Sequence, residues 1–242
     1  MKNGNNAVIL DLGGVILYPP RGEWHIPANF REILGDRADE FYTDRFRAAD
    51  KKLGHLIERA TMGGTEKEEN EDNVKYFLAL SEEMGWNLSR ADAEEMSYHV
   101  TYTTERHAYY PDTVEYLGKW RQEYVLCCLS DTFPSIYHYM DETGLAPYFD
   151  HATYSMEVGC LKPDPRMYRA ALEKLDIPPE ACVFVDDKLE NLWGARDAGI
   201  RCIRMKRDSY TISPINDAEG EWDGPVARNL MEVDRIVKEI FA

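Results

Sequence analysis

The chain alternates short, wholly apolar runs with longer amphipathic stretches. Ala7-Val8-Ile9-Leu10 runs straight into Asp11, and Leu12-Gly13-Gly14-Val15 follows. Far downstream, Ala181-Cys182-Val183-Phe184-Val185 runs into Asp186-Asp187. A short run with no polar alternation predicts a strand covered on both faces, as in a parallel sheet. Tyr124–Leu129 and Arg201–Met205 predict two more strands. Helices are expected between and after them. One covers Pro111 to about Glu123, with proline near its first turn. Others cover Pro134–Thr143, ended by Gly144, and Pro165–Leu175. Leu189, Leu192 and Trp193 mark the inner face of a further helix, which Gly199 terminates. Leu230, Val233, Val237 and Ile240 give a closing amphipathic helix. Strands alternating with helices of this length imply βαβ units and an α/β fold. Residues 206–225 carry few apolar side chains and are expected to form a loop.

The stretch between the first strand and residue 108 reads differently. It is polar, rich in aromatics and helical in character, and no strand is expected between residues 20 and 108. Val74, Phe77 and Leu78 follow helical spacing, and Ser89-Arg90-Ala91-Asp92 forms a capping pattern. Gly54, Gly63-Gly64 and Gly85 mark breaks between helices. The expected organisation is a core of residues 1–17 and 109–242, with residues 18–108 inserted as a helical unit. Such an insert hangs over the carboxyl ends of the strands, where open α/β sheets bind ligands.

Composition narrows the possible roles. Of 242 residues, 44% are hydrophobic and 30% charged, as in a soluble globular protein. The net charge of −16 argues against non-specific binding to nucleic acid or an anionic membrane. A small anionic substrate remains compatible, because a metal ion and a lysine can reverse the field at one place. The five cysteines show no CxxC spacing and no histidine at zinc-ligand distance, so buried reduced thiols and a cytoplasmic location are expected. The apolar stretch before Asp11 is too short for a signal peptide. No run approaches the roughly 20 apolar residues of a membrane span.

Four positions carry candidate chemistry. Asp11 ends a strand and precedes two glycines, where backbone approaches a ligand closely; it reads as a nucleophile or metal ligand, or as the cap of a turn. Ser130-Asp131-Thr132 ends the Val125–Leu129 run, and a hydroxyl with backbone N–H groups there either cradles phosphate or caps a helix. Lys162 sits in Gly159-Cys160-Leu161-Lys162-Pro163-Asp164-Pro165, whose prolines fix the backbone so that the ammonium is aimed. It would offset a phosphoryl group or Asp11, unless it is a surface lysine in a turn. Adjacent acids at a buried strand tip, Asp186 and Asp187, are electrostatically too costly to be packing residues, and they suit magnesium.

Together and in this order, the four motifs closely resemble the haloacid dehalogenase superfamily, in the subfamily with a helical cap inserted after the first motif. The resemblance covers about residues 7–18 and 110–205. It implies a Rossmann-like parallel-sheet core with an inserted all-helical cap domain. It also implies magnesium held by Asp11, the main-chain carbonyl of Gly13, and Asp187, with Asp186 helping directly or through water. Asp11 would attack phosphorus and form an aspartyl-phosphate, while Ser130, the backbone of Asp131 and Lys162 hold the phosphoryl oxygens. The implied activity is that of a magnesium-dependent phosphatase acting on a small phosphorylated metabolite.

Position 13 departs from the pattern. Most phosphatases of the superfamily carry a second aspartate there, as acid toward the leaving group and base toward water; Gly13 has no side chain. General acid–base help is worth roughly 10²–10⁴ in rate. The substrate then has a good leaving group, or a cap residue such as Glu23 or His25 replaces the acid, or catalysis is lost and the chain only binds a phosphorylated ligand. On this reading, Gly13→Asp should raise the rate on poor leaving groups. A metal-independent dehalogenase would also lack the second acid, but it has no use for Asp186-Asp187. Arg21, Glu23, Trp24 and His25 lie where the chain enters the cap and are candidate substrate contacts.

Overall fold

The computed structural model describes residues 5–207 and 221–242. Its centre is a parallel sheet. The strands are β1 (Ala7–Leu10), β4 (Val125–Ser130), β5 (His151–Tyr154), β6 (Cys182–Asp186), β7 (Arg201–Met205) and β8 (Val226–Ala227), in the order β5-β4-β1-β6-β7-β8. A separate antiparallel ladder joins β2 (Leu17–Tyr18) to β3 (Ala108–Tyr109). β1 lies between β4 and β6, paired in parallel with both. Its four residues are all fully buried, which is why the run tolerates no polar position.

Alternate residues of each strand enter opposite layers. Val8, Leu10, Leu126, Cys128, Val183 and Val185 face a cluster built with α6 (Thr113–Glu123), α7 (Ile136–Glu142) and α11 (Leu230–Phe241). Ala7, Ile9, Cys127, Leu129 and Phe184 face one built with α9 (Pro165–Leu175) and α10 (Leu189–Asp197). This is the three-layer α/β arrangement that the alternation predicts.

Between β2 and β3 lie five α-helices: α1 (Phe30–Leu34), α2 (Asp44–Leu53), α3 (His55–Glu58), α4 (Glu66–Met84) and α5 (Arg90–Thr101). A short α8 (Ser155–Val158) follows β5. The inserted helices pack on a cluster of their own, centred on Phe41, Phe46, Tyr76, Phe77 and Leu80. Both long ones start in capping boxes, Thr65 with Glu68 and Ser89 with Asp92. Gly85 ends α4 in the left-handed conformation, φ 69°.

The structure corrects several expectations. Tyr18 and Ala108, placed by the sequence at the ends of a helical stretch, pair in the β2–β3 ladder instead. Two residues per strand are too few to show alternation. β5 was not expected because His151 and Thr153 interrupt its apolar pattern, as an edge strand allows. Pro111 and Pro134 precede their helices, which start at Thr113 and Ile136. Trp193 does not share the inner face of α10: Leu189 and Leu192 are buried, whereas Trp193 is 38% exposed. Of the expected loop at 206–225, residues 206, 207 and 221–225 lie outside helices and strands, and 208–220 fall outside the described residues.

Candidate active site

Three strand tips converge. Asp11 follows β1, Ser130 ends β4, Asp186 ends β6, and Asp187 directly follows it. Because β1 pairs with both neighbours in register, Leu10 stands level with Cys128 and Val185, and the polar residues just beyond meet at one edge. The Asp11 N–H donates to Val185 O at 3.0 Å, carrying the ladder one residue past the strand. Lys162 reaches this edge from the segment before α9. Its Nζ lies 2.9 Å from Asp11 Oδ1 and 2.7 Å from Asp186 Oδ2, and it donates to Leu129 O at 3.1 Å. Burial alone would strip its proton, but Asp11, Asp186 and Asp131 hold its pKa well above the ordinary lysine value.

The two adjacent acids have different surroundings. Asp186 is fully buried, and both its oxygens are engaged: Oδ1 by Lys188 N and Asn191 Nδ2, Oδ2 by Lys162 and Asn191. Its carboxylate therefore anchors Lys162, and direct ligation by Asp186 would have to displace these donors. Asp187 Oδ1 is buried with no hydrogen-bond partner among the described residues. Burial, then Asp186 and Asp11, push the Asp187 carboxyl well above the usual range. Oxygens of Asp11, Asp186 and Asp187 lie within 4.8 Å of one another. An orphaned buried carboxylate oxygen facing two like charges fits a hard divalent cation, which prefers such oxygen donors. Gly14, at φ 71°, leaves room for the Asp187 carboxylate itself: a Cβ there would come 2.5 Å from Asp187 Oδ2.

Comparison with known proteins places this arrangement. The haloacid dehalogenase-like hydrolase family matches residues 6–199. The chain belongs to that family. A phosphoserine phosphatase of Thermus thermophilus is 31% identical over 136 residues, 55% of this chain and 54% of that protein. The first curated relatives are matched over 41–54% of their own length, so the chain spans about half of them. Among solved structures, the L-2-haloacid dehalogenase of Xanthobacter autotrophicus aligns with a TM-score of 0.69 at 19% identity, covering 96% of this chain and 98% of that one. A family enzyme of Bacteroides thetaiotaomicron, in complex with magnesium and inorganic phosphate, aligns at 0.57 and 20% identity over 90% of this chain and 97% of that one. At such identities the likeness is one of fold.

In this haloacid dehalogenase-like hydrolase the strand tips floor a cavity of about 400 Å³. Asp11, Gly13, Ser130, Asp131, Lys162 and Asp187 line it, as do Glu23, Trp24 and His25 from the insert. Asp131 also accepts from Lys162 N at 2.9 Å, fixing the lysine's backbone. Arg21 is not on the wall; its guanidinium donates to the carbonyls of Ile26 and Glu105, strapping the two ends of the insert together. Trp24 occupies the niche above Gly13, where a Cβ would come 3.2 Å from its Cζ2.

Residues not singled out from the sequence complete the wall: Arg106, His107, Tyr110, Phe133 and Lys188. Arg106 is fully buried and donates to Glu69 Oε1 at 3.0 Å and Trp24 O at 3.1 Å. Glu69, from α4, accepts in turn from Ser135 N and Oγ, both at 2.8 Å. This network joins insert to core. A charged residue inside an otherwise ordinary helical stretch carries no sequence signal of such a role. Phe133, directly after Asp131-Thr132, was the most findable of them.

Proposed function

We propose that this hydrolase is a magnesium-dependent phosphatase of a small phosphorylated metabolite, with Asp11 as nucleophile. The buried Asp187 Oδ1, without a partner among the described residues and close to Asp11, carries the reading, since a bound cation would offset the cost of that unpaired oxygen. The divalent ion would be held by Asp11, Asp187 and the Gly13 carbonyl, and would neutralise charge on the transferring phosphoryl group. Lys162 fixes the Asp11 carboxylate through its 2.9 Å contact and adds positive charge where phosphoryl oxygens gather. Ser130 and the backbone of Asp131 complete the cradle. One Asp11 oxygen attacks phosphorus as the bond to the leaving oxygen breaks; water then displaces the carboxylate and releases phosphate. The two arginines at the insert's ends are committed elsewhere, and the wall carries Leu12, Leu17, Trp24, Tyr110 and Phe133. The part of the substrate beyond its phosphate is therefore small and partly apolar.

A halide-releasing reaction without metal gives Asp187 nothing to do. A cytoplasmic place is supported by five cysteines that are free and buried. Among the described residues, no helix is long and apolar enough to cross a membrane. The test is phosphate release from a panel of phosphorylated metabolites with magnesium, beside halide release from a halo-acid without it. Magnesium-dependent release of phosphate is expected, and Asp11→Asn abolishes it while the thermal transition is retained. Activity in Asp11→Asn near that of the unaltered protein refutes the nucleophile.

A further inference from the structure

The proposed phosphatase lacks a side chain at position 13, and its niche holds an indole. Protons must still reach the leaving oxygen and leave the attacking water. Besides the committed Arg106, residues 18–108 put three titratable side chains on the cavity wall: Glu23, His25 and His107. His107 is held uncharged, since burial and the cations Arg106 and Arg21 push its imidazole well below the ordinary value. An imidazole that stays neutral has no ready proton for an alkoxide.

His25 is built differently. Its Nδ1 lies 3.5 Å from Asp50 Oδ1, on α2. Tyr76, from α4, donates its hydroxyl to the same Asp50 oxygen at 2.5 Å. Burial works against the charge on Asp50, yet the hydrogen bonds from His25 and Tyr76 keep its carboxyl below the usual range. The ring packs between Tyr76 and Phe133, with centroids 5.6 and 6.2 Å away. The far nitrogen, Nε2, is buried and has no hydrogen-bond partner among the described residues. A histidine on the cavity wall, held by a carboxylate on one nitrogen and unsatisfied on the other, is arranged as an acid–base group is.

We propose that His25 is the acid–base catalyst of this hydrolase, in place of the carboxylate missing at position 13, and that Asp50 is its positioning residue. This rests on the phosphatase reading. As Asp11 forms its bond to phosphorus and the ester bond breaks, the Nε2 proton of the imidazolium passes to the leaving oxygen. Neutral His25 then takes a proton from water as that oxygen bonds to phosphorus and the bond to Asp11 breaks. The imidazolium, the free Asp11 carboxylate and inorganic phosphate are restored, so the protons balance over a cycle. Asp50 stays ionised throughout and keeps Nε2 as the working nitrogen.

The experiment compares phenyl phosphate, a poor leaving group, with dinitrophenyl phosphate, a good one, in the full chain with magnesium. His25→Gln is expected to lose roughly 10²–10⁴-fold in kcat on phenyl phosphate. On dinitrophenyl phosphate it should release one rapid equivalent of phenolate and then stall, because the aspartyl-phosphate forms but is not hydrolysed. Added imidazole should restore turnover to His25→Ala. Asp50→Asn should lower kcat on phenyl phosphate with KM unchanged, and Asp50→Glu should recover part of it. Equal kcat on phenyl phosphate in His25→Gln and the unaltered protein overturns the proposal and leaves the phosphatase reading standing. So does a leaving-group split that appears in Glu23→Gln but not in His25→Gln. If the unaltered protein releases phosphate from no ester, both fall.

Discussion

At the scale of single residues, the site depends on two neighbouring acids having separate tasks. Asp187→Asn removes an oxygen left free for a cation, and should raise the magnesium concentration needed for half-maximal activity. Asn191→Ala leaves that oxygen alone but strips donors from buried Asp186. It should cost about 1–3 kcal/mol in stability, read by thermal or urea unfolding, with magnesium half-saturation near that of the unaltered protein. The reverse ranking would reassign the ligand. At position 13 the structure adds a steric consideration to the side-chain logic. From the sequence, Gly13→Asp adds an acid and speeds poor leaving groups. In the structure, the new Cβ meets Trp24 Cζ2 at 3.2 Å, and the indole, next in sequence to His25, must shift by a few tenths of an ångström to admit it. The single substitution should therefore slow the enzyme on phenyl phosphate, and Gly13→Asp with Trp24→Leu should be faster than Gly13→Asp alone, as steady-state kcat will tell.

At the scale of elements, the central strands and long helices were legible because burial dictates composition there. β1 is wholly apolar, β6 is apolar up to Asp186 at its tip, and α9 runs over the predicted Pro165–Leu175. The motif residues Asp11, Ser130, Asp131, Lys162 and Asp187 were legible because each ends or directly follows a strand or sits in a proline-fixed turn. β2, β3 and β8 were not, since two residues cannot display a period. The pairing of Arg106 with Glu69 was hidden too, because it depends on contacts 37 residues apart. The closing helix offers a test of this scale. Asp234 of α11 accepts from Trp120 Nε1 at 2.9 Å, Lys119 at 2.6 Å and Lys238 at 3.1 Å, tying α11 to α6. Burial opposes its charge, but these donors lower its pKa in the folded chain. A carboxyl depressed on folding adds stability above its unfolded value and loses it as pH falls through the folded one. Asp234→Asn should thus cost roughly 1–2 kcal/mol near neutrality. The difference should shrink as pH drops below about 4. Urea unfolding of both proteins across that range checks the sign.

At the scale of the whole molecule, the sheet edge brings the acids and Lys162 to the cavity, and the segments leading into and out of the helices between β2 and β3 bring Glu23, Trp24, His25, Arg106 and His107, with Glu69, Arg106 and Ser135 fastening the two parts together. The indole that fills the niche over Gly13 gives this architecture its own optical reporter. Of the five tryptophans, Trp24 alone lines the cavity, its ring tilted against that of His107 with centroids 5.4 Å apart. Phenyl phosphate added to Asp11→Asn with magnesium should change the emission spectrum of the protein, and Trp24→Phe in the same background should silence the change. Occupancy would then be readable by fluorescence titration before any metabolite has been named.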